Sequence, residues 1–253
     1  MSEEIRQVYP DADALARAAA FELQRLAGES IAQRGVFTLA LSGGSTPKKL
    51  YALLAADSAF GDFPWDKTHL FFGDERHVPP DHADSNFKMT RGTLMTSGRV
   101  PESHLHRVRA ELPDAAEAAA QYDAEMRAFF TADKCLDGFP RFDAVLLGMG
   151  PDGHTASLFP GSKGLDETKR WVIANWVEKF KTDRITFTFP VLDAARTVLL
   201  LVAGADKTEM LHEIFVTKRG QSAYPVQRVA PVDGIKAWLL DEAAAAKLPS
   251  SKS

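Results

Sequence analysis

The chain has 253 residues, 45% of them hydrophobic and 25% charged, with 30 Lys+Arg against 34 Asp+Glu for a formal net charge of −4. That balance excludes an intrinsically disordered chain, and the length lets about three quarters of the unfolded surface be buried without disulfide or metal staples. The mild acidity gives no global attraction to nucleic acid or an anionic membrane, so any bound anion must be held by local groups.

At the amino terminus, Met1-Ser2-Glu3-Glu4-Ile5-Arg6 carries acids where a signal peptide would carry bases. Residues 12–34 are predicted helical, with Leu15, Ala18, Phe21 (or Leu23), Leu26 and Ile31 near helical spacing. Val36 to Leu41 is a short run of strand formers that stops at Gly43-Gly44. A helix restarts at once, with Thr46 as N-cap and Pro47 at the first helical position. Residues 68–73 are a second strand, followed by the polar loop Asp74-Glu75-Arg76-His77. Helices are predicted at 86–96 and 114–131, and a strand at 143–147 that runs into Gly148-Met149-Gly150-Pro151-Asp152-Gly153-His154. Cys135, the single cysteine, excludes an internal disulfide framework, fits a reducing compartment and reads as structural. Further strands are predicted at 171–177, 184–189, 197–202 and 235–240, with a helix at 206–217.

Apolar strands alternating with helices imply a single-domain α/β fold, Rossmann-like, with a mostly parallel sheet and helices on both faces. No linker or repeat divides the chain, so one domain is expected over residues 1–248, with 249–253 a frayed, flexible tail. No run of about 18 apolar residues occurs, which leaves no membrane span. In such sheets ligands bind beyond the carboxyl ends of the strands, and three loops there carry polar chemistry.

The first loop, Ser42-Gly43-Gly44-Ser45-Thr46-Pro47, combines glycines, hydroxyls and a helix N-terminus, the groups that cradle a phosphate. Lys48 and Lys49 in the first helical turn support that reading, since the position ordinarily favours acids. The third loop matches G-x-G-x-x-G after a strand, but Pro160-Gly161 closes it within one or two turns. Val172, Ile173 and Ala174 stand where the ribose-binding acid of a dinucleotide site belongs, so that site is rejected. What remains is His154 on a glycine-rich turn, a general base near neutral pH, with Asp152 to orient it or stabilise its charged form. Two residues of separation is short for a direct bond between those side chains. In the second loop Arg76 offers a fork suited to carboxylate or phosphate, beside Asp74 and Glu75. Arg184 and Lys207 open a strand and a helix within reach of a ligand. His77, Asp81, His82 and Asp84 lack metal-ligand spacing and are split by Pro79-Pro80, and no G-x-S-x-G surrounds Ser42 or Ser157.

Together these segments resemble the 6-phosphogluconolactonase family of the glucosamine/galactosamine-6-phosphate isomerase superfamily. The resemblance rests on Leu41 to Pro47, Asp74-Glu75-Arg76 with Ser85-Asn86, and above all Gly148 to Pro160. Weaker matches run through Arg184-Ile185-Thr186 with Pro190, Gly204 with Lys207, and Pro225 with Trp238. The resemblance implies a fold related to the glucosamine-6-phosphate deaminases and hydrolysis of 6-phospho-D-glucono-1,5-lactone, with no required cofactor and no metal. It makes His154 the base and Asp152 its partner. It makes Ser42, Gly43, Gly44, Ser45, Thr46, Asp74, Arg76, Arg184 and Lys207 candidate contacts for the phosphate or the sugar acid. The related isomerases and deaminases follow their histidine segment with an Asn-Glu-Pro acid, where this chain has Ser157-Leu158-Phe159-Pro160. A non-catalytic sugar-phosphate sensor is disfavoured by the intact Asp152 and His154. The expectation is a cytoplasmic monomer or weak homodimer that takes a phosphorylated sugar lactone, with neither nucleic acid nor membrane as partner.

Overall fold

The computed structural model describes residues 3–216 and 224–249. In chain order, the first half comprises β1 (Glu3–Tyr9), α1 (Ala12–Arg34), β2 (Phe37–Leu41), α2 (Ser45–Ala56), β3 (Thr68–Phe72), β4 (Asp74–Arg76), α3 (Asn86–Arg91), β5 (Leu105–His106) and α4 (Ala115–Phe129). There follow β6 (Cys135–Leu136), β7 (Phe139–Pro140), β8 (Ala144–Leu147), β9 (Val172–Val177), β10 (Thr182–Phe187), α5 (Phe189–Ala194) and β11 (Thr197–Val202). α6 (Thr208–Phe215), α7 (Pro225–Arg228), β12 (Ile235–Asp241) and α8 (Glu242–Ala245) complete the chain. The helix expected over 206–217 begins as a 3-10 turn at Ala205–Lys207, and its last expected residue, like tail residues 250–253, lies outside the described part.

Seven strands form the central sheet in the order β1-β12-β11-β8-β2-β3-β5, and every pairing in it is parallel. Every residue of β2, β8 and β11 is buried, as both-face coverage requires. Helix α1 presents Leu15, Ala16, Ala19, Ala20, Leu23, Leu26 and Ala27 to the core; of the two residues weighed for its apolar face, Leu23 is buried and Phe21 is 49% exposed. Asp11 caps its start by accepting from the backbone N–H of Asp13 and Ala14 at 2.9 and 2.8 Å. Gly35 ends it at φ +78°, a left-handed conformation that disfavours a side chain.

Several features depart from the sequence reading, among them strand β4 inside the polar loop expected at 74–77, and α3, which ends at Arg91 where a helix was expected to 96. β1 was not anticipated, because its sequence EEIRQVY forms a half-exposed edge without an apolar run. α2 begins two residues earlier than expected, with Gly44 rather than Thr46 as N-cap. Pro47 is therefore the third helical residue, still in the first turn, where the N–H it lacks would have no intrahelical partner. Last, β9 and β10 do not join the central sheet. They pair antiparallel with each other and with β4 in a separate three-stranded sheet.

That second sheet stands on the carboxyl end of the first. Gly73 links them, donating to the Leu41 carbonyl at 2.9 Å and accepting from the Phe187 N–H at 2.8 Å. The strand order reverses direction between β2 and β8: α2 carries the chain from β2 to β3 on one side, while β8, β11 and β12 extend the sheet on the other. The β2–β8 ladder runs only from Leu39↔Ala144 to Ala40↔Val145 and stops short of both strand ends. At the amino edge Asp143 holds the two strands together, accepting from the Thr38 N–H and hydroxyl at 2.9 Å each. The sheet is thus pinned at one end and parted at the other, and the parted end is the topological switch point where ligands bind in such folds.

Candidate functional site

The loops after β2 and β8 face each other across that crevice. In the loop after β8, backbone bonds from Gly150 N–H to the His154 carbonyl (2.9 Å) and from Gly153 N–H to the Gly150 carbonyl (3.0 Å) close a tight turn, with Gly153 at φ +75°. The turn folds His154 back on Asp152, so their side chains bond directly, Nδ1 to Oδ1 at 2.5 Å. The short spacing that spoke against such a bond is overcome by this left-handed residue between them. With Nδ1–H donating to the carboxylate, Nε2 carries the lone pair. It has no hydrogen-bond partner among the described residues.

The imidazole is closely packed. Phe159 stacks on it at 4.0 Å and 23°. At its Cε1–Nδ1 edge, a Cβ on Gly150 would fall 2.0 Å from both atoms, so only glycine leaves room for the ring. Burial pushes the His154 pKa below its ordinary value, against the opposing pull of Asp152 and Asp74. For Asp152, burial acts to raise the pKa but is outweighed by the bonds to His154 and the charge of Lys179, so the carboxyl lies below its usual range. At neutral pH the pair is a neutral imidazole on an ionised carboxylate.

The second sheet brings the arginines. Asp74, Arg76, Arg184 and Thr186 share one of its faces, with Asp74 opposite Thr186 and Arg76 opposite Arg184. The first rung clamps the histidine loop: Ser157 donates its hydroxyl to Asp74 Oδ2 at 2.7 Å, and its N–H to the Thr186 hydroxyl at 3.2 Å. The next rung sets two guanidinium groups side by side, an arrangement that costs stability unless an anion lies between or beside them. The Nε of each is buried without a hydrogen-bond partner among the described residues. Arg184 has its pKa lowered by burial and by Arg76, and its guanidinium lies 5.2 Å from the Phe180 ring centre. Arg76 also donates to the Asp84 carbonyl.

Glu75 points to the opposite face and is 2% exposed. It accepts from the backbone N–H of Arg76, Asn86 and Phe87 at 2.7–2.8 Å, and from the Ser85 hydroxyl at 3.2 Å. Burial raises its pKa, against those backbone donors. Its role is to fix the start of α3 and the backbone of Arg76. Asn86, thus positioned, donates to the Asp74 carbonyl at 2.9 Å and sits where a Cβ on Gly43 would fall, 2.0 Å from its Oδ1. Gly43 is therefore a close-approach glycine, and Asn86 ties the first loop to the second.

In the first loop Ser42 is buried, and its backbone exchanges hydrogen bonds with the Tyr51 hydroxyl at 3.0 and 2.8 Å. Gly44 takes φ +105° and caps α2 without a side-chain bond, which leaves the N–H groups of the first turn beside the hydroxyls of exposed Ser45 and half-buried Thr46. Lys49 points away from this loop and bonds Asp13 on α1 at 2.5 Å. Lys207, after β11, stands at the carboxyl edge next to β8, with Asp206 at 2.8 Å from its Nζ. The residues that sequence reasoning passed over are connectors: Ser157, Asn86, Phe159 and Tyr51. Ser157, Phe159 and Asn86 fall inside the quoted motifs, but nothing local marks which contact each makes.

Other singled-out residues lie elsewhere. His77 Nε2 meets the Leu112 carbonyl at 2.7 Å, and His82 Nδ1 accepts from the Asp84 N–H at 3.2 Å. Among the described residues no group of three or more His, Cys, Asp or Glu is arranged to hold a metal ion. No described helix is long and apolar enough to cross a membrane. Cys135 is half-buried with its pKa raised by burial.

These features define an α/β protein with a polar site at a sheet switch point, a carboxylate-paired histidine on one side and a basic rung on the other. Residues 10–238 match the family described as Glucosamine-6-phosphate isomerases/6-phosphogluconolactonase, and the chain belongs to it. It is 43% identical over 243 residues to a protein named 6-phosphogluconolactonase from Nostoc sp., covering 96% of this chain and 97% of that one. A Synechocystis sp. protein of the same name is 41% identical over 220 residues, covering 87% of this chain and 88% of its own. The solved 6-phosphogluconolactonase of Trypanosoma brucei superposes with a TM-score of 0.87 at 29% identity, covering 98% of this chain and all of its own. That of Trypanosoma cruzi gives 0.84 at 30% identity, covering 98% of this chain and 97% of its own.

Proposed function

We propose that this protein hydrolyses 6-phospho-D-glucono-1,5-lactone to 6-phospho-D-gluconate, the second step of the oxidative pentose phosphate pathway, in the cytoplasm. His154 is the general base. The observation that carries the reading is the Asp152–His154 pair, whose bonded Nδ1 leaves a basic Nε2 at the switch-point crevice. The names of the relatives above support the substrate.

A lactone carbonyl is electrophilic enough to need no covalent nucleophile. Nε2 takes a proton from a water whose oxygen attacks C1, and the carbonyl oxygen becomes an oxyanion. As the tetrahedral intermediate collapses, the bond from C1 to the ring oxygen breaks, and the imidazolium returns its proton to that oxygen. Asp152 balances the imidazolium while it exists, a stabilisation absent from the ground state. General-base help of this kind is worth about 100- to 10,000-fold.

Arg76 and Arg184, with Lys207 and the Ser42–Thr46 loop at the start of α2, form the anion-binding side that takes the phosphate or the sugar acid. An anion on the Arg76–Arg184 rung relieves the repulsion between the two guanidinium groups and meets their Nε atoms, which have no hydrogen-bond partner among the described residues. Binding there places C1 at His154 and spends remote binding energy on orientation.

The test is proton release from freshly generated lactone, corrected for spontaneous hydrolysis, with unphosphorylated gluconolactone in parallel. Fast turnover of the phosphorylated lactone and slow turnover of the other is the expected result. Equal rates on both would remove the anion-binding half of the proposal, and no acceleration by folded protein would remove the whole of it.

A further inference from the structure

The tip of the β9–β10 hairpin, residues 178–181, belongs to none of the motifs above, yet it reaches both halves of the site. Lys179 Nζ lies 3.5 Å from Asp152 Oδ2, the carboxylate oxygen that His154 does not use. Phe180 meets Phe159 edge-on at 5.8 Å and 83°, and Phe159 is the ring on which His154 stacks. The Arg184 guanidinium and the Lys179 ammonium lie 5.2 and 5.5 Å from the Phe180 ring centre. Phe180 itself is 46% exposed, a poor arrangement if its task were only to fill the core. Nor does an exposed ion pair such as Lys179–Asp152 hold a fold together to any great degree. Placement on the reacting groups accounts for both side chains better than stability does.

We propose that Lys179 and Phe180 are positioning residues that hold the Asp152–His154 pair in its reactive geometry and couple it to Arg184. The proposal rests on His154 being the base. Contact runs without a gap from Arg184 through Phe180 and Phe159 to the imidazole, and separately from Lys179 to Asp152. An anion that draws on Arg184 therefore bears on the ring packed behind His154. The charged groups acting on His154 are Asp152, Asp74 and Lys179, and those on Asp152 are His154 and Lys179. Glu178 on the same tip is taken up by Lys181 and by the Trp176 N–H. The charges acting on Arg184 are those of Arg76, Asp74, Asp84 and Glu75.

The experiment uses the full chain with Lys179→Met and Phe180→Ala, and Lys179→Arg and Phe180→Tyr as conservative partners. Two readouts are taken: the NMR titration of the His154 imidazole, which needs no turnover, and kcat and KM on the phosphorylated lactone. Loss of the Lys179 cation raises the His154 midpoint by about half a pH unit, the size expected for one exposed charge removed at short range. Lys179→Arg restores it. Phe180→Ala lowers kcat about tenfold through misplacement of the ring behind the base. It also raises KM for the phosphorylated lactone but not for gluconolactone, and Phe180→Tyr restores both. An unchanged His154 midpoint in Lys179→Met together with unchanged kcat and KM in Phe180→Ala overturns the proposal; if Phe180→Ala does not fold, the Lys179→Met titration decides it alone. A wild type that does not accelerate lactone hydrolysis, together with a His154 midpoint raised in Lys179→Met, removes the lactonase reading and leaves the hairpin coupling in place.

Discussion

Gly150→Ala isolates the positioning of the base from its chemistry. The new methyl would sit 2.0 Å from the His154 ring atoms Cε1 and Nδ1 and 2.9 Å from Asp152 Oδ1. To reach the 3.4 Å at which ordinary contact begins, the ring must retreat by 3.4 − 2.0 = 1.4 Å. Phe159, stacked on the ring at 4.0 Å, and the Asp152 bond at Nδ1 both hold it against that movement. Gly150 is not among the glycines with positive φ, so the backbone itself tolerates alanine and the disturbance stays at the ring. A displacement of this size at a reacting group costs about 100-fold in rate, or about 2.7 kcal/mol of transition-state stabilisation. The assay is stopped-flow proton release, with a thermal melt and the His154 NMR signal on the same sample. The expected result is a folded protein with kcat down about 100-fold and KM within about threefold of wild type. A folded Gly150→Ala with wild-type kcat refutes the claim that a rigidly seated imidazole is the base.

Asp152→Asn removes the charge that favours imidazolium. The His154 pKa then falls further, the acid limb of kcat/KM moves to lower pH, and kcat drops by about 100-fold or more; a pH–rate profile checks both. Arg184→Ala and Arg76→Ala each raise KM for the phosphorylated lactone about 10- to 100-fold, the worth of one charge-assisted hydrogen bond, and leave gluconolactone turnover unchanged in steady-state kinetics. Far from the site, His69 stacks on His104 and bonds His106 at 3.0 Å, and burial with those neighbours and Lys134 lowers its pKa to about 4. His69 is therefore neutral in the fold, while the unfolded chain protonates it below about 6.5, so stability is lost as pH falls from about 6.5 to about 4. The group is only partly buried, so its contribution is discounted to about 1–2 kcal/mol. Urea unfolding at pH 7 and pH 4.5 reads this directly, and His69→Gln should remove that part of the acid sensitivity.

The central strands were legible because each is a short apolar run closed by glycine or by a polar loop, and the chemistry sits where those runs end. Strand order was not, since it depends on pairings between distant segments. β9 and β10 read as members of the main sheet because an apolar run looks the same whether its partner runs parallel or antiparallel. That pairing matters to the site, for it alone sets Arg184 opposite Arg76. The Asp152–His154 bond was hidden for a similar reason: it depends on the φ of Gly153 and not on residue spacing. Lys49 illustrates the converse, a cation whose place in the first helical turn suggested a phosphate and whose partner is Asp13. Glu75 and Asn86 are polar residues in polar surroundings, and only burial distinguishes them as the struts that tie the first loop to the second.

The most direct test of the account is the rate of 6-phosphogluconolactone hydrolysis by His154→Ala beside wild type, at neutral pH and above the spontaneous rate. Circular dichroism and the thermal midpoint serve as proof of fold. The account predicts wild-type turnover lost by about 100- to 10,000-fold in the variant, with the lactone still bound. A folded His154→Ala protein that hydrolyses the lactone as fast as wild type would contradict it, and the base would have to be sought elsewhere in the crevice.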